Sequence, residues 1–180
     1  MIIVYNTMSG ILPFCYNEEN NTFYYLLGRE SHTHPKAANQ YSDFGGSKEN
    51  NESKVLTAAR EGYEETHGIF GNEKEINTRI SKLPQSMVLS TRYNTYSTYL
   101  YKINYNKDLP KMMNKLFAFM KKNLTSVVNE TNGYFEKDHH ILVTLDQLKK
   151  KYYSSLRSFY RQIIDQIDED KIRKYLKIVA

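Results

Sequence analysis

The sequence predicts an α/β (α+β) layered domain, on three observations. Its first half carries short runs rich in β-branched and aromatic residues, separated by Asn- and Gly-bearing turns. One amphipathic helix pattern interrupts those runs, and the second half is mostly helical. With 180 residues, 40% hydrophobic and 25% charged, the chain fits one domain spanning 1–180.

The runs Gly10–Tyr16 and Thr22–Gly28 flank the turn-forming Asn17–Asn21 and read as a hairpin. The polar segment Ser31–Gln40 is a loop, and a short strand Tyr41–Phe44 ends in Gly45-Gly46. Val55, Leu56, Ala59 and Tyr63 recur at helical spacing from Glu52 to about Thr66, with Ser53 as a cap. A second helix is expected over Asn72–Lys82, stopped by Pro84, followed by strands over Ser86–Ser90 and Tyr93–Tyr105. Pro110 opens a helix with Asp108 as its cap. That helix has an apolar face of Met112, Met113, Leu116, Phe117, Met120, Leu124 and Val127, with Lys111, Lys115, Lys121 and Lys122 around it. A strand over Tyr134–Val143 and helices near 145–150, 153–165 and 171–178 complete the chain.

Composition narrows the function classes. No apolar run approaches the roughly 18–20 residues of a membrane-spanning helix, and the N-terminal segment lacks the cationic start of a secretory signal, so no membrane partner is expected. The lone Cys15 excludes an internal disulfide and a Cys-based zinc site, which fits a reducing, cytoplasmic setting. Residues 1–106 are net −1 and residues 107–180 net +6, so the C-terminal part would attract nucleotides, RNA or other polyanions. Adjacent His139 and His140 point to opposite faces of a strand and make a poor metal pair.

The segment from Gly46 to Gly68 stands apart. Glu61, Glu64 and Glu65 fall at i, i+3 and i+4 of the expected helix, about 5–6 Å apart at Cβ. Three carboxylates so placed repel one another and call for a cation; an all-oxygen donor set suits Mg²⁺ or Mn²⁺, which also bind substrate phosphates. Arg60 can pair with Glu64, and Gly45-Gly46 lets backbone carbonyls approach a metal.

This spacing resembles the Nudix box, G-x5-E-x7-R-E-U-x-E-E-x-G-U with U a bulky apolar residue. Gly46, Glu52, Arg60, Glu61, Glu64 and Glu65 match it, a coincidence of about one in 10⁵ by residue frequencies. Two positions depart. Gly62 fills the first U position, where Gly costs about 1 kcal/mol relative to Ala in a helix and permits close backbone approach. His67 stands at the box's last glycine, and Gly68 follows as a helix C-cap.

The resemblance implies a Nudix-like α/β/α sandwich with a mixed sheet, an inserted basic helix over 108–130 and C-terminal helices over 145–178. It implies a metal-dependent hydrolase, with Mg²⁺ or Mn²⁺, cleaving a phosphoanhydride in a nucleoside diphosphate linked to another group. Within it, Glu64 and Glu65 match the main metal ligands. Glu61 matches a residue that binds metal or orients the attacking water, Arg60 its orienter, and Gly45 a carbonyl ligand. Glu52 matches a structural salt-bridge partner. A later carboxylate outside the box is expected at Glu136, with Asp138 in reserve. Specificity would come from Ser31–Gln40, Pro84–Asn94 and the basic helix. Tyr93, Tyr96 and Tyr99 are candidates to stack a base, and Lys111 and Lys115 to contact phosphates. Capped mRNA is the alternative substrate, releasing methylated GDP; a catalytically silent nucleotide- or protein-binding module is a third reading. Abundant Asn, Lys, Ile and Tyr accord with AT-rich coding sequence, as in a large DNA virus or parasite; a viral source would make the expected cytoplasm that of the host.

Overall fold

The computed structural model describes residues 7–32, 34, 36–124 and 134–178. The central strand is β1 (Met8–Asn17), which pairs antiparallel with β2 (Thr22–Glu30) across the expected hairpin. β3 (Tyr41–Ser42) pairs with β2 and β4 (Phe44–Ser47) with β1, both antiparallel. After α1 (Lys54–Glu65) and α2 (Glu73–Ile80) come β5 (Val88–Ser90) and β6 (Tyr96–Lys102). β6 lies parallel to β1, and β5 antiparallel to β6, so the sheet is mixed. The helix α3 (Leu109–Asn123) leads to β7 (Lys137–Val143), antiparallel to β2. A short α4 (Leu145–Gln147), a widened helical turn over Leu148–Tyr152, α5 (Ser158–Ile164) and α6 (Glu169–Leu176) end the chain.

Strand alternation makes the layers. Ile11, Leu26, Phe44, Tyr99 and Tyr101 face α1, α2 and Met113 of α3. Leu12, Tyr25, Leu27, Tyr96 and Leu100 face Tyr160, Ile163, Ile164 and Ile172 of the C-terminal helices. The result is helix, sheet and helix in three layers. No helix among the described residues is long and apolar enough to cross a membrane.

Several elements differ from expectation for local reasons. The strand expected over Tyr41–Phe44 is broken at Asp43. Its buried carboxylate accepts hydrogen bonds from the Tyr96 hydroxyl (2.5 Å) and the Thr98 hydroxyl (2.7 Å), and so bends away from the ladder. β6 starts at Tyr96 rather than Tyr93 because Asn94 turns the chain at φ +54°. Asp108 precedes α3 without a side-chain cap bond. The apolar face of α3 is narrower than read: Met113 and Phe117 are buried and the helix packs on β7, while Met112 is exposed. Val127 and the rest of 125–130 lie outside the described residues.

Candidate functional site

α1 is capped by Ser53, whose hydroxyl accepts from Leu56 N–H (3.3 Å). It closes with Gly68 N–H donating to Tyr63 C=O (2.9 Å), both His67 and Gly68 being left-handed. The helix ends at Thr66, and the left-handed position just after it, expected for Gly68, is taken by His67, whose N–H donates to Glu64 C=O (3.1 Å); Gly68 is the next residue out. The helix lies against β1 and β4, and its glycine sits where a side chain would not fit. A Cβ on Gly62 would stand 2.6 Å from Ile11 Cδ1. Gly46 has a similar role, since a Cβ there would run into the Glu61 carboxylate.

Arg60 organises the acidic residues. Its Nε donates to Glu52 Oε1 (3.0 Å), Nη1 to Glu61 Oε1 (3.0 Å) and Glu64 Oε2 (3.1 Å), and Nη2 to Ser47 C=O (2.9 Å). The salt bridge expected for Glu52 is therefore present. Glu64 is half-buried and turned to Arg60 at the rim. Gly45 is buried where β4 crosses Gly10 of β1, beneath the Tyr96 hydroxyl.

Glu65 points inward. It is buried, neither carboxylate oxygen receives a hydrogen bond, and one oxygen lies within 4.8 Å of ligand atoms of Glu30 and Glu136. Glu30, at the end of β2, and Lys137, at the start of β7, are the residues the sequence reading missed. The Lys137 ammonium donates to Glu30 Oε1 and to Ser42 Oγ (2.9 Å), and stands 3.6 Å from Glu65 Oε1. Arg157 donates to the same Glu30 oxygen (3.0 Å).

The electrostatics follow from burial and neighbours. Burial, with Glu136 and Glu64 nearby, pushes the Glu61 carboxyl up to about 7 even though Arg60 pulls the other way. Glu65 is raised well above the usual carboxylate range by complete burial, with Glu30, Glu61 and Glu136 adding repulsion. Burial works against Glu30, yet Lys137 and Arg157 hold it below its ordinary value. Burial likewise works against the Lys137 ammonium, and Glu30 and Glu65 outweigh it. An unsatisfied buried carboxyl facing further carboxylates fits a hard divalent cation: Glu65 and exposed Glu136 converge with Glu30, Glu61 stands near enough to repel Glu65 and to be repelled by Glu136, and carboxylate oxygens are the donors Mg²⁺ or Mn²⁺ takes.

The remaining expected site residues are dispersed. Tyr96 is corrected outright. Its ring is buried against Phe159 and Tyr160, and its hydroxyl is committed to Asp43, so it has no face to offer a base. Tyr99 is also buried, whereas Tyr93 is 78% exposed in the turn before β6. Asp138 turns from the carboxylate cluster to Arg29 (2.9 Å). Lys111 and Lys115 are exposed on α3, but the cleft between α3 and the β2–β7 pair is lined instead by His32, Asn114, Lys121, Lys122 and Asp138.

Comparison with solved structures bears on the fold. A mutT/nudix family protein from Listeria innocua superposes with a TM-score of 0.50 at 13% identity, over 96% of this chain and 97% of that one. An Ap4A hydrolase from C. elegans gives 0.49 at 12% identity, over 95% and 98%. A Nudix hydrolase from M. smegmatis, RenU, gives 0.48 at 11% identity, over 97% and 88%. No protein-family model and no curated protein sequence matches the chain. The similarity to the Listeria protein establishes the architecture: the chain has the Nudix fold.

Proposed function

We propose that this protein is a divalent-metal-dependent hydrolase that cleaves a phosphoanhydride bond in a nucleoside diphosphate linked to another group. A nucleotide sugar, a dinucleoside polyphosphate or a nucleotide would be the substrate. The observation that carries the reading is Glu65, a buried carboxyl with both oxygens unsatisfied, aimed at further carboxylates on a Nudix fold. Bound there, Mg²⁺ or Mn²⁺ neutralises phosphate charge and acidifies water.

The chain's own residues do the rest. Glu65, Glu61 and Glu136 would hold the cation. Arg60 fixes Glu61 through Oε1, which leaves Oε2 to take the proton of the attacking water. Attack at one phosphorus then releases a nucleoside monophosphate or diphosphate, according to which phosphorus faces the water.

The α3 cleft favours a second substrate class. Lys121, Lys122 and His32 lie beside Asp138, two residues from Glu136, where the body of a capped RNA could follow the scissile diphosphate. A panel of capped RNA, dinucleoside polyphosphates, nucleotide sugars and free nucleotides, with Mg²⁺ or Mn²⁺, tests both. Methylated GDP release that needs a long RNA body and weakens with salt selects decapping; turnover of small nucleotides alone selects the first class. Glu65→Gln preserves shape and is expected to lower turnover about 10²–10³-fold in a protein that remains folded. Near-normal turnover in that variant removes the site assignment.

A further inference from the structure

The carboxylate cluster already contains a cation, and it belongs to the chain. We propose that the Lys137 ammonium is a fixed internal cation filling the inner end of the cluster. On this account Glu30 is a structural anion rather than a metal ligand, and divalent ions bind only on the outer side, through Glu65 with Glu61 and Glu136. The inference rests on the metal-site reading above and deepens it.

Three observations support the assignment. First, the fold is built to deliver this lysine. The β2–β7 register runs Arg29 opposite His139, then Glu30 opposite Lys137, so Asp138 is an extra residue bulged from β7. The bulge sets Lys137 across from Glu30 and sends Asp138 to Arg29. Gly28 makes room for the stem: a Cβ there would stand 2.9 Å from Lys137 Cγ and Cδ.

Second, one oxygen of Glu30 is fully engaged. Its Oε1 accepts from Lys137, Arg157 (3.0 Å) and Ser42 (3.2 Å), and the two cations more than balance its charge. Ligation by this oxygen would place a dication beside the buried Lys137 ammonium and the half-buried Arg157 guanidinium.

Third, space is already taken. A divalent ion of this class sits about 2.0–2.2 Å from its oxygens. The ammonium lies between Glu30 and Glu65, in hydrogen-bond contact with one and 3.6 Å from the other. Burial is graded to match: Lys137, Glu30 and Glu65 are buried, while Glu136 is exposed. Glu65 is shared, facing the lysine on one side and the outer carboxylates on the other.

Anomalous scattering from a crystal of the wild-type protein soaked in Mn²⁺ tests this directly. Peaks contacting Glu65 with Glu61 or Glu136, and none contacting Glu30, are expected; a peak coordinated by Glu30 overturns the proposal while leaving the metal-site reading intact. Absence of any peak at the cluster removes the metal-site reading and this proposal with it. Equilibrium dialysis in solution adds a variant test. The double variant Glu30→Gln with Lys137→Met removes one charge of each sign, and is expected to keep Mn²⁺ affinity within about threefold of wild type. A loss of about tenfold or more in the folded double variant makes Glu30 a ligand and overturns the proposal.

Discussion

The glycine inside α1 sets two known effects against each other. By helix propensity alone, Gly62→Ala should stabilise the protein by about 1 kcal/mol. The structure says otherwise, because the new methyl would stand 2.6 Å from Ile11 Cδ1 and 2.9 Å from Cγ1, well inside ordinary contact. Ile11 is buried on β1 with Phe44, Ala58 and Tyr99 in the same layer, so it has little space to yield. Overpacking of this kind costs about 1–3 kcal/mol. The net expectation is a destabilisation of about 1 kcal/mol, with α1 displaced from the sheet and turnover reduced, since Glu61 and Glu65 ride on that helix. Urea unfolding measures the first quantity as a fall in midpoint at constant slope. Ile11→Val removes Cδ1, so the double variant should be less destabilised than the sum of the singles. A Gly62→Ala protein more stable by about 1 kcal/mol, with additive behaviour against Ile11→Val, would refute the close approach of α1 to β1.

Three further expectations follow from the site. Tyr96→Phe strands a buried Asp43 oxygen and should cost about 1–3 kcal/mol of stability with KM for nucleotide substrates unchanged; a raised KM at intact stability would return Tyr96 to the substrate site. Arg60→Gln unties Glu52, Glu61, Glu64 and the Ser47 carbonyl together, so thermal unfolding should show a loss of about 3 kcal/mol and kinetics a fall in kcat larger than any rise in KM. The Glu61 carboxyl, raised to about 7 by burial and by Glu136 and Glu64, binds a proton in the folded state that the unfolded chain, with the ordinary 4.5, releases earlier. The metal-free protein should therefore lose stability as pH rises through that interval, and saturating Mg²⁺ should flatten the loss. Calorimetry showing a pH-independent difference between the two forms would contradict the assignment.

The hairpin, α1 and the acidic motif were legible because each is specified locally. A turn, a serine cap and a contiguous box need no distant partner. The mixed sheet followed from resemblance rather than from any pattern in the chain. Tyr96 misled because a strand's two faces look alike in an aromatic-rich sequence, and only the buried Asp43 shows which is inside. Met112 misled for the helical counterpart of that reason, lying at the edge of an apolar stripe in which Met113 and Phe117 are the buried residues. Glu30, Lys137 and Arg157 were beyond reach. They stand 107 and 127 residues apart and meet only through β2–β7 pairing and the approach of α5, while hydropathy assigns a lysine and an arginine to the surface.

Helical geometry does account for how the three glutamates divide, and the division was implicit in their spacing. At about 100° per residue, Glu61 and Glu65 project within about 40° of each other, while Glu64 lies about 100° from Glu65. One helix face cannot therefore present all three equally to a single centre. Glu61 and Glu65 turn toward the sheet, where both are buried, and Glu64 is left at the rim. Arg60 stands four residues before Glu64, again about 40° away, and takes it up as an ion pair. The same guanidinium reaches Glu61 and Glu52, so one cation restrains three carboxylates while Lys137, from β7, stands 3.6 Å from Glu65. The acidic stripe is thus tolerated before any metal arrives because Arg60 and Lys137 each stand against part of it, while burial first and carboxylate repulsion second raise Glu61 and Glu65, a cost a divalent ion would offset.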